Sequence, residues 1–212
     1  MFTGVIEYVG SVIGVRTGPS GTRLRLDLGP VADGLAVGDS IAVDGVCLTV
    51  SAAQGTQAGF DVVPTTLSRT TLGTLAVTSR VNLERPVTLG GRLGGHLVAG
   101  HVDGSAILRT RSWHGQSQIA SFVTNRELTD FMIPRGSVAL NGVSLTLASL
   151  ETGAFSVALI PVTLAGTNLG ELRPGRKVNI ETDLIGKYVA KMLTTGKGEG
   201  ITMETLVKYG FV

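Results

Sequence analysis

The sequence predicts an all-β protein, with two tandem, small, closed antiparallel β-barrels related by internal duplication and a C-terminal α-helix. Three observations support this prediction: a long internal repeat, segments of alternating polarity, and an excess of glycine. Glycine accounts for 30 of the 212 residues, about twice its ordinary share of roughly 7%. No Gly-X-Y period accompanies it, so the excess indicates tight turns between short strands and not collagen.

The internal repeat consists of sequence blocks that recur in the same order. Three pairs of blocks are separated by 97 residues: Val43–Val50 with Leu140–Leu147, Pro64–Leu67 with Pro161–Leu164, and Val81–Glu84 with Val178–Glu181. Gly4–Glu7 and Gly100–Asp103 match at 96 residues, a slip that one loop absorbs. The chain is therefore a tandem duplication of a unit of about 95 residues, the size of a small domain.

The repeat defines the expected domain bounds. We expect a first barrel with a glycine-rich linker over 1–97, a second barrel over 98–186, and a helix with its tail over 187–212. The helix is expected to start near Asp183 and reach Leu193, because apolar residues recur there at helical spacing. Within the tail, 194–200 is predicted to be a flexible spacer and Met203–Tyr209 a short helix.

Local patterns identify the individual strands and turns. Arg23–Leu28 alternates strictly between polar and apolar residues, as a half-buried strand does. Asp44-Gly45 and Asn141-Gly142 lie between β-prone runs and suit hairpin turns that need positive φ. Asn125–Phe131 is predicted to be one short helix, and the glycine-rich Leu89–His96 is interpreted as a linker because no strand–loop–helix context surrounds it.

Composition excludes several classes of function. Eighteen basic and sixteen acidic residues leave a net charge of +2, too balanced for a nucleic-acid footprint. A single cysteine excludes an intrachain disulfide framework and fits a reducing compartment. We see no signal peptide, no apolar run of 18 residues and no metal-ligand spacing, so we expect a soluble, cytoplasmic protein without metal or membrane partner.

The two matching hairpin strands provide the candidate site. On the first, Cys47 and Thr49 alternate with bulky apolar residues, and on the second Ser144 and Thr146 do so. Because a small barrel fills its interior with the bulky residues, these four small side chains line the outer wall. An ordinary solvated face would explain either strand alone, but recurrence in both halves favours a polar site repeated twice.

Other candidate residues are fewer. His101 lies in the equivalent of the first barrel's opening strand and is a titratable group of useful pKa, although a lone histidine is more often structural. Cys47 is not expected to be a covalent nucleophile, because Ser144 replaces it in the other half. Asp183 and Glu181 precede the last helix, and for Glu181 we expect the ordinary role of a helix N-terminal acid.

Four ordered motifs together resemble the riboflavin synthase family, alpha chain, with its tandem lumazine-binding domains. They are Met1–Glu7, Asp44–Val50, Gly90–Gly104 and Asn141–Thr146. The resemblance implies a homotrimer in which the first barrel of one subunit faces the second barrel of a neighbour. It implies dismutation of two 6,7-dimethyl-8-ribityllumazine molecules per active site, the last step of riboflavin biosynthesis, with no cofactor. An association with lumazine synthase cannot be read from the sequence.

The resemblance also implies roles for particular residues. The catalytic set comprises Cys47, His101, Ser144, Thr146 and Asp183. The first lumazine is expected to contact Gly4, Val5, Ile6, Cys47, Leu48, Thr49, Asp61, Val62, Val63, Pro64, Thr65 and Thr66. The second is expected to contact Gly100, His101, Val102, Ser144, Leu145, Thr146, Ile160, Pro161, Val162, Thr163, Leu164 and Ala165. Arg135 matches a basic residue, lysine in some members, that reaches a neighbour's ligand.

Two other functions are compatible with the duplicated barrel. The main alternative is a non-catalytic antenna protein that binds lumazine or flavin in one barrel while the other site decays. The second is a purely structural duplicated barrel that assembles through its helix. Both polar walls, His101 and Asp183 persist in this sequence, which favours the enzyme.

Overall fold

A computed structural model describes residues 1–195 and 203–208, except for the side chains of residues 194, 195 and 204–206. The predicted spacer over 194–200 and the ends of the tail fall largely outside these residues. Within the described part, no helix has the length and apolar character needed to span a membrane.

The first half folds into a closed six-stranded antiparallel barrel in the spatial order β1-β2-β5-β4-β3-β6. Its strands are β1 (Tyr8–Gly18), β2 (Gly21–Asp27), β3 (Ser40–Val43), β4 (Val46–Gln54), β5 (Gln57–Val62) and β6 (Arg80–Glu84). Helix α1 (Pro64–Arg69) follows β5, and short 3-10 helices cover 29–32 and 71–74.

The second half repeats this architecture in a second closed barrel, ordered β10-β11-β8-β7-β12-β9. Its strands are β7 (Gly104–His114), β8 (Ser117–Val123), β9 (Ser137–Leu140), β10 (Val143–Glu151), β11 (Ala154–Leu159) and β12 (Lys177–Thr182). The helices are α2 (Arg126–Thr129), α3 (Pro161–Gly166), α4 (Leu184–Thr195) and α5 (Met203–Lys208). The predicted fold class, two tandem barrels and a C-terminal helix, is confirmed.

Alternation and turn chemistry explain why these residues form barrels. Leu24 and Leu26 of β2 are fully buried while their neighbours face outward, and each barrel has its own apolar core. Asp44 and Asn141 have positive φ, of 46° and 44°, at the predicted hairpin turns. These turns join β3 to β4 and β9 to β10, so they set the register of both polar walls.

Two segments precede the barrel strands. The prediction that His101 belongs to an opening strand is wrong. Strands β1 and β7 begin later, at Tyr8 and Gly104. The residues before them form the N-terminal segment (1–7) and the connecting segment (96–103). These two segments pair with each other through Phe2 and Val98, whose backbones exchange hydrogen bonds of 2.7 and 3.1 Å.

An asparagine network also joins the two barrels. The side chain of Asn82 donates to the Asn141 carbonyl at 2.9 Å, and that of Asn179 donates to the Asp44 carbonyl at 2.8 Å. Asn168 adds a bond of 2.8 Å to the Asp44 carboxylate. Burial raises the pKa of Asp44 to about 7.

Helix α4 leaves the second barrel directly after β12. Asp183 caps it, with Oδ1 accepting from the Ile185 N–H at 3.0 Å, and Lys187 forms an ion pair of 2.7 Å with Asp103. Ile185 and Tyr188 remain about 60% exposed. The predicted helix is confirmed, and it extends to Thr195.

Candidate functional site

The outer walls of the two barrels have the predicted alternation. In β4, Cys47 is half-buried and Thr49 is exposed, whereas their apolar neighbours are buried. In β10, Ser144 and Thr146 occupy the same two positions. Each barrel therefore presents two small polar side chains on its outer wall.

The structure crosses the two segments over these walls. The Ser144 N–H donates to the Gly4 carbonyl at 2.8 Å, and the Cys47 N–H donates to the Gly100 carbonyl at 2.9 Å. The structure thus places Gly4 beside Ser144 and Gly100 beside Cys47, whereas the sequence pattern grouped Gly4–Ile6 with Cys47 and Gly100–Val102 with Ser144. Each barrel closes without the segment that precedes it, so the Gly4 and Gly100 carbonyls are free to accept from the opposite barrel.

Glycine is required at both crossing points. Gly4 and Gly100 have φ of 77° and 81°, a region that side chains rarely adopt. A Cβ on Gly4 would lie 2.6 Å from the Cβ of Ser144, and one on Gly100 would lie 2.6 Å from the Cβ of Cys47. The backbone thus lies directly against each small side chain, which restricts the shape of both sites.

The Ser144 site contains a histidine that the sequence analysis did not select. Nδ1 of His96 lies 2.7 Å from Oγ of Ser144, and His96 is only 8% exposed. Its Nε2 is buried without a hydrogen-bond partner among the described residues. An imidazolium needs two acceptors, so this environment favours the neutral ring.

Electrostatics favour the same protonation state. Burial lowers the pKa of His96, and the nearby charge of Asp183 opposes that effect. Asp183, a predicted site residue, thus lies close enough to influence the Ser144–His96 pair while it caps α4. The available sequence signal for His96 was its place at the end of Leu89–His96, which we interpreted only as a linker.

His101 lies at the other site. It lines a cavity of about 220 Å³ together with Cys47, Thr65, Thr66 and Arg69. The structure therefore brings His101 to the first barrel and not to Ser144. Arg69 is a further residue that the sequence analysis missed; the position 97 residues later is Gly166, so the two sites differ in charge.

Asp61 lies at a neighbouring surface of the first barrel. Arg23 binds its carboxylate through two bonds, of 2.7 and 3.1 Å. The hydrogen bond from Arg23 lowers the pKa of Asp61. Together with Val62 and Val63 these residues line a cavity of about 430 Å³. The second barrel has Ala158 at the position equivalent to Asp61, which is another difference between the halves.

The remaining predicted contacts lie around two short helices and one loop. Pro64–Thr66 start α1, while Ile160 precedes α3 and Pro161–Ala165 lie within it. Val63, Ile160 and Val162 are 52%, 49% and 71% exposed. Arg135 is exposed at a turn with φ of 64° before β9. Ligand contacts by these residues stay predictions.

Glu181 does not have the role we expected from the sequence. It lies in β12, is 3% exposed, and accepts hydrogen bonds from the Ala99 and Gly100 N–H groups. The prediction of an ordinary helix N-terminal acid is wrong, because the strand continues through Thr182 and Asp183 takes the capping position. Among the described residues, no group of three metal-ligating side chains is placed to hold an ion.

Comparison with known proteins agrees with this architecture. The lumazine binding domain family matches residues 3–86 and again residues 99–183. Solved structures of LumP share the fold: the complex with riboflavin has a TM-score of 0.80 at 23% identity, over 86% of this chain and 99% of that one. The protein is therefore built from two lumazine-binding domains.

Full-length relatives define the family further. The riboflavin synthase of Actinobacillus pleuropneumoniae is 38% identical over 100% of both chains, and that of Bacillus subtilis (strain 168) is 37% identical over 98% of this chain and 96% of its own. That of Mycobacterium tuberculosis (strain ATCC 25618 / H37Rv) is 39% identical over 91% and 98%. The chain belongs to the riboflavin synthase family.

Proposed function

We propose that this protein catalyses the riboflavin synthase reaction. One 6,7-dimethyl-8-ribityllumazine transfers a four-carbon unit to a second, which yields riboflavin and 5-amino-6-(D-ribitylamino)uracil. The two substrates contain every atom of the two products, so the reaction requires no external oxidant. We place the reaction in the cytoplasm.

The observation that carries this proposal is the equivalence of the two crossed sites. Each half offers a small polar side chain, Cys47 or Ser144, against a glycine backbone from the opposite segment. Two flat heterocycles of one kind would each find a similar surface. An antenna protein needs only one such surface, whereas a dismutation needs two, held so that the rings meet in a reactive orientation.

The Ser144–His96 pair is suited to the first proton transfer. A ring methyl of the lumazine is acidic because its conjugate anion is delocalised into the heterocycle. Ser144 can take that proton while its own proton passes to the neutral His96, across the 2.7 Å contact. The lowered pKa of His96 keeps the ring unprotonated near neutral pH and therefore able to accept.

The Cys47 site is suited to a different part of the reaction. Arg69 and His101 line the cavity beside Cys47, and Arg69 is a permanent cation. A cation stabilises negative charge that develops on a bound heterocycle or its carbonyl oxygens. The two sites therefore bind the same substrate but favour different steps, with Thr49 and Thr146 as matching hydroxyls on the two walls.

Assembly supplies the second half of each active site in this proposal. We infer a homotrimer in which the first barrel of one subunit faces the second barrel of the next. The exposed side chains of Ile185, Tyr188 and Val189 on α4 support it, since apolar surface on a terminal helix favours association. The Lys187–Asp103 ion pair holds this helix against the second barrel.

The test is turnover of the lumazine by the purified full chain. We expect riboflavin absorbance to appear together with one equivalent of the pyrimidine product. Ser144→Ala is the matched control, because it removes one hydroxyl from the wall and leaves the apolar core untouched. Binding of lumazine without formation of riboflavin would instead establish the antenna function.

A further inference from the structure

Two buried glutamates occupy equivalent places in the two halves. Glu84 ends β6 and Glu181 lies near the end of β12, 97 residues later. Each is only 3% exposed. In the described part of the chain, no cation lies within ion-pair distance of either carboxylate. A buried carboxylate is costly without a cation, so its hydrogen bonds must offset that cost.

The hydrogen bonds of both carboxylates go to consecutive backbone N–H groups. Glu84 accepts from Thr3 N–H at 2.6 Å and Gly4 N–H at 3.0 Å, and also from the Thr3 hydroxyl at 2.7 Å. Glu181 accepts from Ala99 N–H at 2.7 Å and Gly100 N–H at 3.0 Å. Only a carboxylate offers two acceptor oxygens in this arrangement, because a glutamine side chain would aim its NH2 group at one of the N–H groups.

The residues held in this way belong to the opposite barrel's site. Gly4, held by the first barrel's Glu84, accepts the Ser144 N–H of the second barrel at 2.8 Å. Gly100, held by the second barrel's Glu181, accepts the Cys47 N–H of the first barrel at 2.9 Å. Each glutamate is therefore connected to the wall of the other barrel through a single glycine residue, whose N–H donates to the glutamate and whose C=O accepts from the wall.

We propose that Glu84 is a positioning residue for the Ser144 site and Glu181 is a positioning residue for the Cys47 site. Each half of the chain then sets the geometry of the other half's site. Glu84 does so through the N-terminal segment, and Glu181 does so through the connecting segment. This inference rests on the proposed function only where kcat is measured. The crossed positioning itself can be measured by ligand binding.

The strand register of the first barrel defines the alternative hypothesis, in which Glu84 acts on the Cys47 site of its own barrel. Ala42 pairs with both Glu84 and Cys47, so Glu84 and Cys47 are two strands apart in one sheet, about 10 Å by ordinary strand spacing. A glutamate that merely supported its own barrel would affect Cys47 first. Crossed positioning requires Glu84 to affect Ser144 instead.

Double-mutant cycles separate these two outcomes. We expect Glu84→Gln to lower kcat about tenfold or more in the wild type, and to have little further effect once Ser144→Ala is present. Coupling of that size is usual for residues in one hydrogen-bond network. With Cys47→Ala the effects of Glu84→Gln should multiply to within about twofold, as for independent sites.

The second cycle uses the equivalent glutamate as a matched control. Glu181→Gln should couple to Cys47→Ala and be independent of Ser144→Ala. Coupling of each glutamate to its own barrel's wall, or independence in all four combinations, would overturn the proposal. Equal thermal unfolding of the glutamine variants and the wild type would show that a general loss of folding does not explain the results.

A milder variant covers the case in which a glutamine variant does not fold. Thr3→Val removes one hydroxyl bond to Glu84 and leaves both backbone N–H bonds, and Thr3→Ser restores the hydroxyl. We expect Thr3→Val to lower kcat with coupling to Ser144→Ala, and Thr3→Ser to recover it. An unchanged kcat in Thr3→Val, together with glutamine variants that fail to fold, would reduce both glutamates to structural residues and refute the proposal.

Calorimetry with an unreactive lumazine analogue keeps this test independent of the reaction. We expect two binding sites per chain, with Glu84→Gln or Thr3→Val weakening one and Glu181→Gln weakening the other. If the wild type makes no riboflavin but shows this pattern, the proposed function fails and the positioning stands. If riboflavin forms and both sites keep their affinity and coupling is absent, the positioning fails and the function stands.

Discussion

The two halves of this chain share a backbone frame but differ in the side chains at their sites. Gly4 and Gly100, and likewise Glu84 and Glu181, make equivalent contacts in the two halves. The reacting positions differ, because one site has the Ser144–His96 pair and the other has a thiol near two basic residues. Duplication has thus kept the glycines and glutamates that hold the backbone at the two walls and changed the polar side chains around Cys47 and Ser144.

This difference indicates that the two sites have different roles. Two identical sites would bind two substrate molecules identically, and neither molecule would be favoured as donor or acceptor. A neutral base at one site and a permanent cation at the other distinguish them chemically. Variants at the positions where the two halves differ test whether these differences matter.

Helix α4 has no counterpart in the first half, where an irregular linker follows β6. We expect Ile185→Asp combined with Val189→Asp to dissociate the assembly, because charges would replace apolar side chains at the proposed interface. Most turnover should be lost, while binding of a lumazine analogue persists. Sedimentation, calorimetry and a turnover assay on the same sample check this.

The control for the helix variant is Val37→Asp, a similarly exposed valine on the first barrel (65% exposed). It should leave assembly and turnover unchanged. A dissociated double variant with full activity would contradict the shared active site, whatever the family resemblance implies.

The Ser144–His96 pair should be the most sensitive part of the two sites. Ser144→Ala and His96→Gln should each lower kcat at least about a hundredfold, the usual lower range for general acid–base groups. The double variant should be little worse than either, since the pair acts as a unit. His101→Gln, at the other site, should also lower turnover strongly, independently of Ser144→Ala.

The pH profile provides a second check on this pair. Burial lowers the pKa of His96, so the wild-type kcat should hold as pH falls through 6.5 and decline only below it, when the ring becomes protonated. In His96→Gln this acidic limb should disappear. An acidic limb that is unchanged in that variant would assign it to another group.

The fold was readable from the sequence to a greater extent than the site. The 97-residue repeat predicted the duplication, and two local signals, the alternation in β2 and the Asp44 and Asn141 turns, predicted their elements. The crossing of the segments was not readable, because hydrogen bonds such as Ser144 N–H to Gly4 O join residues 140 positions apart. Alignment of the halves suggested same-half pairing, since a repeat pattern carries no information about which barrel receives a segment.

The missed residues show the same limit. His96 lies outside the blocks that recur in the two halves, so the repeat that identified Ser144 gave no reason to select it. Only the structure shows that the linker's end lies against Ser144, where a Cβ on Gly95 would be 2.8 Å from Oγ. Glu181 was misread because its distance from the helix in sequence resembles that of a capping acid, whereas its side chain is buried toward the connecting segment.

The asparagine network between the barrels predicts that the free energy of unfolding depends on pH through Asp44. Asp44 occupies the place of Asn141, and burial raises its pKa to about 7 from an ordinary value near 3.8. The folded state therefore binds this proton more tightly than the unfolded state, so Asp44's stabilising contribution is complete at low pH and is lost as pH rises through 7. We expect a loss on the order of 2 kcal/mol between pH 5 and pH 8 from this group.

Asp44→Asn is the matched variant, since Asn141 already makes the equivalent bond to a backbone N–H at 2.8 Å. Denaturant unfolding at several pH values should show less dependence on pH between 5 and 8, and higher stability at pH 8, than in the wild type. Asn141→Asp should introduce the opposite change. The same pH dependence in wild type and Asp44→Asn would show that Asp44 does not titrate in this range.

The smallest effect should come from the position where the two halves differ by a single atom type. Cys47→Ser gives the first barrel the hydroxyl that the second has in Ser144, and both side chains are of similar size on equivalent strands. Because we assign Cys47 a polar contact and not a covalent role, kcat should fall by less than about tenfold, far less than the loss of a nucleophile causes.

Turnover and calorimetry on Cys47→Ser and Cys47→Ala separate the need for a polar hydrogen from the need for sulfur. Recovery of activity in the serine variant over the alanine variant supports a polar contact, whereas a covalent thioether adduct trapped during turnover would replace this view with nucleophilic catalysis at the first barrel alone.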